Sequence, residues 1–202
     1  MQKTEKLTRK EQAEITRQKL VDASLDLFVK KGYDRVTVDD ICKQAGVSKG
    51  AFYGHFKTKD QVVLEEFLKA DTYYQDVVSE VMKENSYVDK MLAFSHLALR
   101  FIESQGKMVI KVAYSSTIAP ERTTSPIASQ NRALYQIAEA LVKGAQENGE
   151  CRTDLPSSEI ALAIIRSIRG VVYDWCLQDG GFDLEEAGAS LSKVMLEGLA
   201  SR

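Results

Sequence analysis

The sequence predicts an all-α fold, and three observations carry that prediction. Apolar residues recur at spacings of three and four along most of the 202 positions, and no stretch alternates with the period of a strand. Four caps are followed three positions later by a side chain that can reach back: Thr8 and Glu11, Thr37 and Asp40, Thr58 and Gln61, Asp183 and Glu186. Such pairs satisfy the free N–H groups of a first helical turn. Glycine then stands where the helical patterns stop, at Gly32, Gly46, Gly106 and Gly149 and at Gly180-Gly181. About nine helices are expected, forming an N-terminal three-helix head and a larger helical body.

Residues 1–10 are polar, and Lys3, Lys6, Arg9 and Lys10 make a basic arm, either a solvated tail or a contact to a polyanion. The first helix runs to about Lys31 with Ile15, Leu20, Val21, Leu25, Leu27 and Phe28 on one broad stripe. A second begins at Val38 and stops at Gly46; a third, capped by Ser48, runs from Lys49 to about Phe56. The fourth is expected to be one rod from Lys59 to about Glu84, well beyond the ~11–12 residue average. Helices over about 88–104 and 107–117 follow. Pro120 and Pro126 bracket a polar loop, and Ser125-Pro126 predicts the start of a seventh helix that ends near Asn148. The eighth spans about 157–178 and the ninth about 184–200. The expected division is a head of residues 1–58 and a body of 59–202.

Helices two and three, over TVDDICKQAGVSKGAFYGHFK, are separated by a turn too tight for an ordinary loop, which is the helix-turn-helix layout. On the third helix Phe52 and Phe56 lie one turn apart and can anchor it to a core. Lys49, Gly50 and Tyr53 fall on another arc. Gly50 and Gly54 each cost a free helix ~1 kcal/mol against Ala, so their presence suits a close approach by something bulky. A DNA major groove about 12 Å wide admits such a helix. A short surface helix with relieved crowding is the plainer reading.

GVSKGAFYGHFKTKDQVV, preceded by TVDDICKQA, resembles the DNA-binding signature of TetR/AcrR-type transcriptional regulators. The resemblance covers roughly residues 12–65 and agrees in order, spacing and residue type. It implies an all-helical homodimer with an operator-binding head and a ligand-sensing body. Gly54 departs from the bulkier residue often found there in the family.

Net charge is −2, yet residues 1–60 hold 13 Lys and Arg against 9 Asp and Glu, and the remainder 14 against 20. A basic head on an acidic body fits a partner carrying phosphates. Cys42, Cys151 and Cys176 are an odd, scattered set, which excludes a disulfide framework and fits a reducing compartment. Cys42 falls on a buried face; Cys151, in an expected loop, is the better candidate for a redox sensor. Residues 1–19 are polar throughout and no apolar run reaches the ~18–20 residues a membrane span needs. The expected location is cytoplasmic, with no membrane partner.

The expected DNA-binding set is Thr37, Ser48, Lys49, Gly50, Tyr53, His55 and Lys59. A Lys can bond guanine O6 and N7, Ser several base edges, and a Tyr hydroxyl a phosphate. Thr37 and Lys59 stand where helix N-termini present N–H groups to an anion. His55 matches a family position that commonly lies at the DNA backbone; capping the last turn of its helix is the alternative. His96, Arg100, Tyr114, Tyr135, Arg166 and Trp175 are the expected ligand-binding set, polar or aromatic residues on mainly apolar helices. His55 and His96 are 41 positions apart without nearby thiols or paired carboxylates, which excludes a zinc site. No nucleophile elbow, P-loop or Ser-His-Asp arrangement is present, so neither catalysis nor a cofactor is expected. The function these features support is a repressor released from a palindromic operator in double-stranded DNA by a small apolar or amphipathic effector. The homodimer is expected to form through helices eight and nine. Ile160, Ile164, Ile168, Val171, Val172 and Trp175 give helix eight more apolar surface than one covered face needs, and Gly188 and Gly198 on helix nine permit close packing. An architectural DNA-binding protein without a ligand is the alternative.

Overall fold

A computed structural model describes residues 7–118 and 126–200. The basic arm's first six residues and the polar loop between Ile118 and Pro126 lie outside them, as does the Ser125 cap. Ten α-helices run in order: α1 (Arg9–Lys31), α2 (Val38–Ala45), α3 (Lys49–His55), α4 (Lys59–Leu68), α5 (Ala70–Val81), α6 (Tyr87–Ser104), α7 (Lys107–Ile118), α8 (Ala133–Glu147), α9 (Ser157–Leu177) and α10 (Leu184–Leu199). Short 3₁₀ turns occupy Tyr33–Arg35 and Pro126–Ala128.

The capping boxes at Thr8 and Thr37 are complete, and Asp183 accepts the N–H of Glu186. Thr58 departs from the expectation: its side chain makes no cap bond, and Gln61 instead accepts the N–H of Lys57 at 2.8 Å. Gly46, at φ 67 and ψ 36, takes the left-handed conformation that lets α2 turn into α3. The expected single rod is interrupted at Lys69, whose N–H bonds the carbonyl of Glu66, three residues back. Lys69 keeps right-handed helical angles, so α4 and α5 form a jointed rod, and counting them as one gives the nine expected helices. The seventh expected helix begins late. Pro126 opens only a 3₁₀ turn, and the α-helix starts after Arg132.

Phe28, Phe52 and Phe56 of the head share one apolar cluster with Val62 and Phe67 of α4 and Ile110 of α7. A second cluster joins α5, α6, α8 and α9 through Tyr74, Phe94, Val142 and Ile160. Two glycines allow helices to touch. A Cβ on Gly144 would sit 2.1 Å from the Tyr87 ring, and one on Gly188 would sit 1.9 Å from Leu99 Cδ1. Gly188 therefore serves the packing of α10 on α6 within one chain, not the approach of a second chain. Gly198 meets nothing within 4 Å.

All three cysteines are free and buried. Cys151 is not the exposed loop thiol that a sensor requires. It forms an isolated antiparallel bridge with Ala200, and burial pushes its thiol up, away from the reactive thiolate. Among the described residues no helix is long and apolar enough to cross a membrane.

Candidate DNA-reading helix and body cavity

α3 is held from one side. Phe52 is fully buried and Phe56 nearly so, with ring centroids 5.8 Å apart. The opposite side is open: Ser48, Lys49, Gly50 and Tyr53 are all exposed, and Tyr53 keeps 57% of its surface in solvent. Ser48 accepts the N–H of Ala51 at 3.1 Å and fixes the start of the helix. A Cβ on Gly50 would meet only Ser48 Oγ at 3.7 Å, and one on Gly54 nothing within 4 Å. Internal packing therefore explains neither glycine.

Thr37 caps α2 on the exposed surface, and its hydroxyl donates to Asp40 at 2.7 Å. That bond and the Thr37 N–H hold the Asp40 carboxyl below the usual carboxylate range. His55 is half-buried at the end of α3, with its ring 6.3 Å from that of Phe56. Lys59 points inward. Its Nζ donates to the carbonyls of Tyr33 and Val36 at 2.8 and 3.0 Å and lies 4.2 Å from the Tyr33 ring centre. The Lys59 ammonium thus ties the rod to the turn after α1.

The body encloses a cavity of about 60 Å³ between α4, α5, α6, α7, α8 and α9. Of the six expected ligand-binding residues, only Tyr114 lines it. Its ring packs edge-on to Phe67 at 6.3 Å, and burial pushes its hydroxyl up to about 12 against the pull of Arg169 and Arg132. His96 and Arg100 turn away to the surface, where both approach Glu185 of α10 at 3.2 and 3.6 Å. Arg166 is exposed, one position off the buried stripe of α9. Trp175 is buried elsewhere and donates its indole N–H to Phe182 at 3.1 Å, closing the turn between α9 and α10. Tyr135 is buried beside the cavity, under the Arg169 guanidinium at 5.3 Å.

Sequence reasoning missed Arg132 and Arg169, the charged side chains among the described residues of the wall. Arg132 is only 7% exposed; its Nε donates to both Asp71 carboxylate oxygens at 3.1 Å. Arg169 donates to the carbonyl of Ile127. Arg132 follows the polar stretch as the cap of α8, a place where an Arg reads as solvated, so only packing reveals its burial. The position of Arg169, one turn after Ile165 on the apolar helix α9, was a usable signal.

A short helix pinned by two phenylalanines, with its Ser, Lys, Gly and Tyr face open, defines a helix-turn-helix DNA-binding protein. Residues 20–65 match the family model described as bacterial regulatory proteins, tetR family. Across 190 residues the chain is 24% identical to the transcriptional repressor KstR2 of Rhodococcus jostii, covering 92% of this chain and 91% of that one. Over 51 residues it is 47% identical to the transcriptional regulator YwcC of Bacillus subtilis, 25% of this chain and 23% of that protein. The fold is shared with Thermus thermophilus FadR, a TetR-family repressor solved with lauroyl-CoA. The TM-score is 0.75 at 19% identity, over 92% of this chain and 96% of that one. Residues 20–65 are a TetR-family DNA-binding domain, and over most of its length the chain is similar to DNA-binding transcriptional regulators of that family.

Proposed function

We propose that the protein is a cytoplasmic homodimeric repressor that leaves a palindromic operator when a small apolar or amphipathic molecule enters the body. In this reading residues 1–58 read DNA, and residues 59–202 sense the effector and dimerise. Ser48, Lys49, Gly50 and Tyr53 enter the major groove, with Thr37, His55 and the α4 N-terminus at the backbone. α9 and α10 pair across a two-fold axis, which sets half-sites one or more helical turns apart. The apolar side chains first expected in that contact, Ile160, Ile164, Val172 and Trp175, are spent on the monomer's own core. What supports the interface is the other face of the same helices: Tyr173, Leu177 and Val194 are exposed, and Gly170 and Gly198 leave open space.

One observation carries the gating. The jointed rod starts at the DNA head, where Lys59 is bonded to Tyr33 and Val36, and reaches the cavity wall with Phe67 and Tyr74. A molecule that pushes the wall apart therefore moves the support of α3. At about 60 Å³ the cavity is far below the ~300 Å³ of a drug-sized site, so ligand entry requires expansion. A tenfold loss of operator affinity needs only about 1.4 kcal/mol of preference for the expanded state. By linkage, operator DNA weakens effector binding by the same factor.

The small cavity is also what favours the second reading, an architectural DNA-binding protein without a ligand. Titrating the DNA upstream of the protein's own gene, with and without a panel of small apolar and amphipathic compounds, separates the two. Release by any compound supports the gated repressor; binding that no compound alters supports the architectural protein.

A further inference from the structure

Arg132 lies where a buried cation needs a reason. It caps α8 at the wall of a mainly apolar cavity, with its guanidinium 5.6 Å from the Phe67 ring centre. Among the described residues that line the cavity the charged side chains are Arg132 and Arg169, and no carboxylate joins them. The balancing acid is Asp71, which stands behind the wall and keeps 31% of its side chain exposed to solvent. Arg132 Nε spends its proton on that carboxylate. Nη2 comes within 3.0 Å of the same group but off the axis of a hydrogen bond, so a buried donor is left unsatisfied. Guanidinium has a planar fork of donors that takes a carboxylate two bonds at a time, and this one is gripped by its Nε edge.

We infer that the effector is an amphipathic carboxylate, whose acid group takes Arg132 from Asp71 while its apolar part lies against Phe67, Tyr74 and Phe94. This rests on the ligand-gated reading above and names its ligand class. A hydrocarbon entering the same space leaves the Nη2 donor unsatisfied, and a neutral oxygen can accept its hydrogen bond but leaves the wall positive. A carboxylate satisfies both and exchanges one Arg–carboxylate pair for another, so Arg132 is never buried alone. Asp71, already part-exposed, returns to water at small cost.

The exchange has a mechanical consequence. Asp71 is the second residue of α5, two positions past the Lys69 joint, and its pair with Arg132 clamps the joint of the rod to the start of α8. Freeing Asp71 releases α5 at the point where α4 ends. Arg132 thus acts as a specificity-determining residue and Asp71 as the latch that the effector opens.

Calorimetric titration of the full chain tests this with hexanoate, decanoate, tetradecanoate and benzoate, each against the alcohol of the same skeleton. At least one acid should bind about tenfold or more tighter than its alcohol, a difference of about 1.4 kcal/mol. Asp71→Asn should bind that acid more tightly than the wild type and bind operator DNA more weakly without any ligand. Arg132→Lys should keep the preference for the acid. Arg132→Met combined with Asp71→Asn leaves no unpaired buried charge and should lose it, with folding verified by thermal melting. Acids that bind no better than their alcohols, or a preference that survives in the Arg132→Met double variant, overturn the inference. Operator release by an alcohol or another neutral compound, without acid preference, overturns it while leaving the gated repressor standing.

Discussion

Lys49 on the exposed face of α3 reaches back across the turn to Asp39 of α2, with Nζ 2.7 Å from Oδ1 and both side chains more than 60% exposed. The cation proposed to meet DNA is therefore already paired within the head. An exposed pair of this kind contributes only ~0–1 kcal/mol, so a phosphate or a guanine edge can replace Asp39 readily.

Two substitutions follow from that pair. Lys49→Ala should weaken operator binding by at least about 1 kcal/mol. Asp39→Asn should strengthen it, because the competing carboxylate is gone, while lowering stability by no more than about 1 kcal/mol. Fluorescence anisotropy on labelled operator measures both. Weaker binding by Asp39→Asn would mean that Asp39 supports the contact instead of competing with it.

Gly50 and Tyr53 separate the stability of α3 from its use. Gly50→Ala should stabilise the free protein by roughly 0.5–1 kcal/mol, since the new methyl meets only Ser48 Oγ at 3.7 Å. The same methyl should impair operator binding, because it stands on the arc offered to the groove. Tyr53→Ala should lower affinity by at least about 1 kcal/mol and leave the melting temperature nearly unchanged. If both variants bind operator like the wild type, α3 is not in the groove.

Lys59 was expected to act on phosphate, and the geometry now gives its ammonium a different test. Lys59→Met should destabilise the head by about 1–3 kcal/mol, because the Tyr33 and Val36 carbonyls lose a charged donor in a half-buried site. The salt dependence of DNA binding should keep its slope, since no phosphate contact is lost. A slope flatter by about one unit with unchanged thermal stability would return the side chain to the DNA.

Val194, 65% exposed on α10, tests the subunit contact. Val194→Glu should give a monomer by light scattering at micromolar concentration and sharply weaken binding to a full palindrome. Gly188→Ala is the contrasting change: its methyl would strike Leu99, so it should cost about 1–3 kcal/mol of stability through overpacking of α10 on α6. A wild-type protein that is itself monomeric would remove the interface.

The sequence by itself determined the parts that local chemistry controls. The completed boxes at Thr8 and Thr37 and the left-handed Gly46 depend on residues within a few positions of one another, and so does the open arc of Lys49, Gly50 and Tyr53. Helical periodicity also placed Phe52 and Phe56 toward the core. Tertiary structure decided which of several apolar or polar faces meets which neighbour. Periodicity marks a face as apolar without naming what covers it, so Ile160 and Trp175 suited a subunit contact until the fold buried them against their own chain. It gives polar residues no address at all: His96 and Arg100 went to Glu185 on the surface. Arg132 went inside, because Asp71, sixty-one positions away in the chain, stands there to hold its charge.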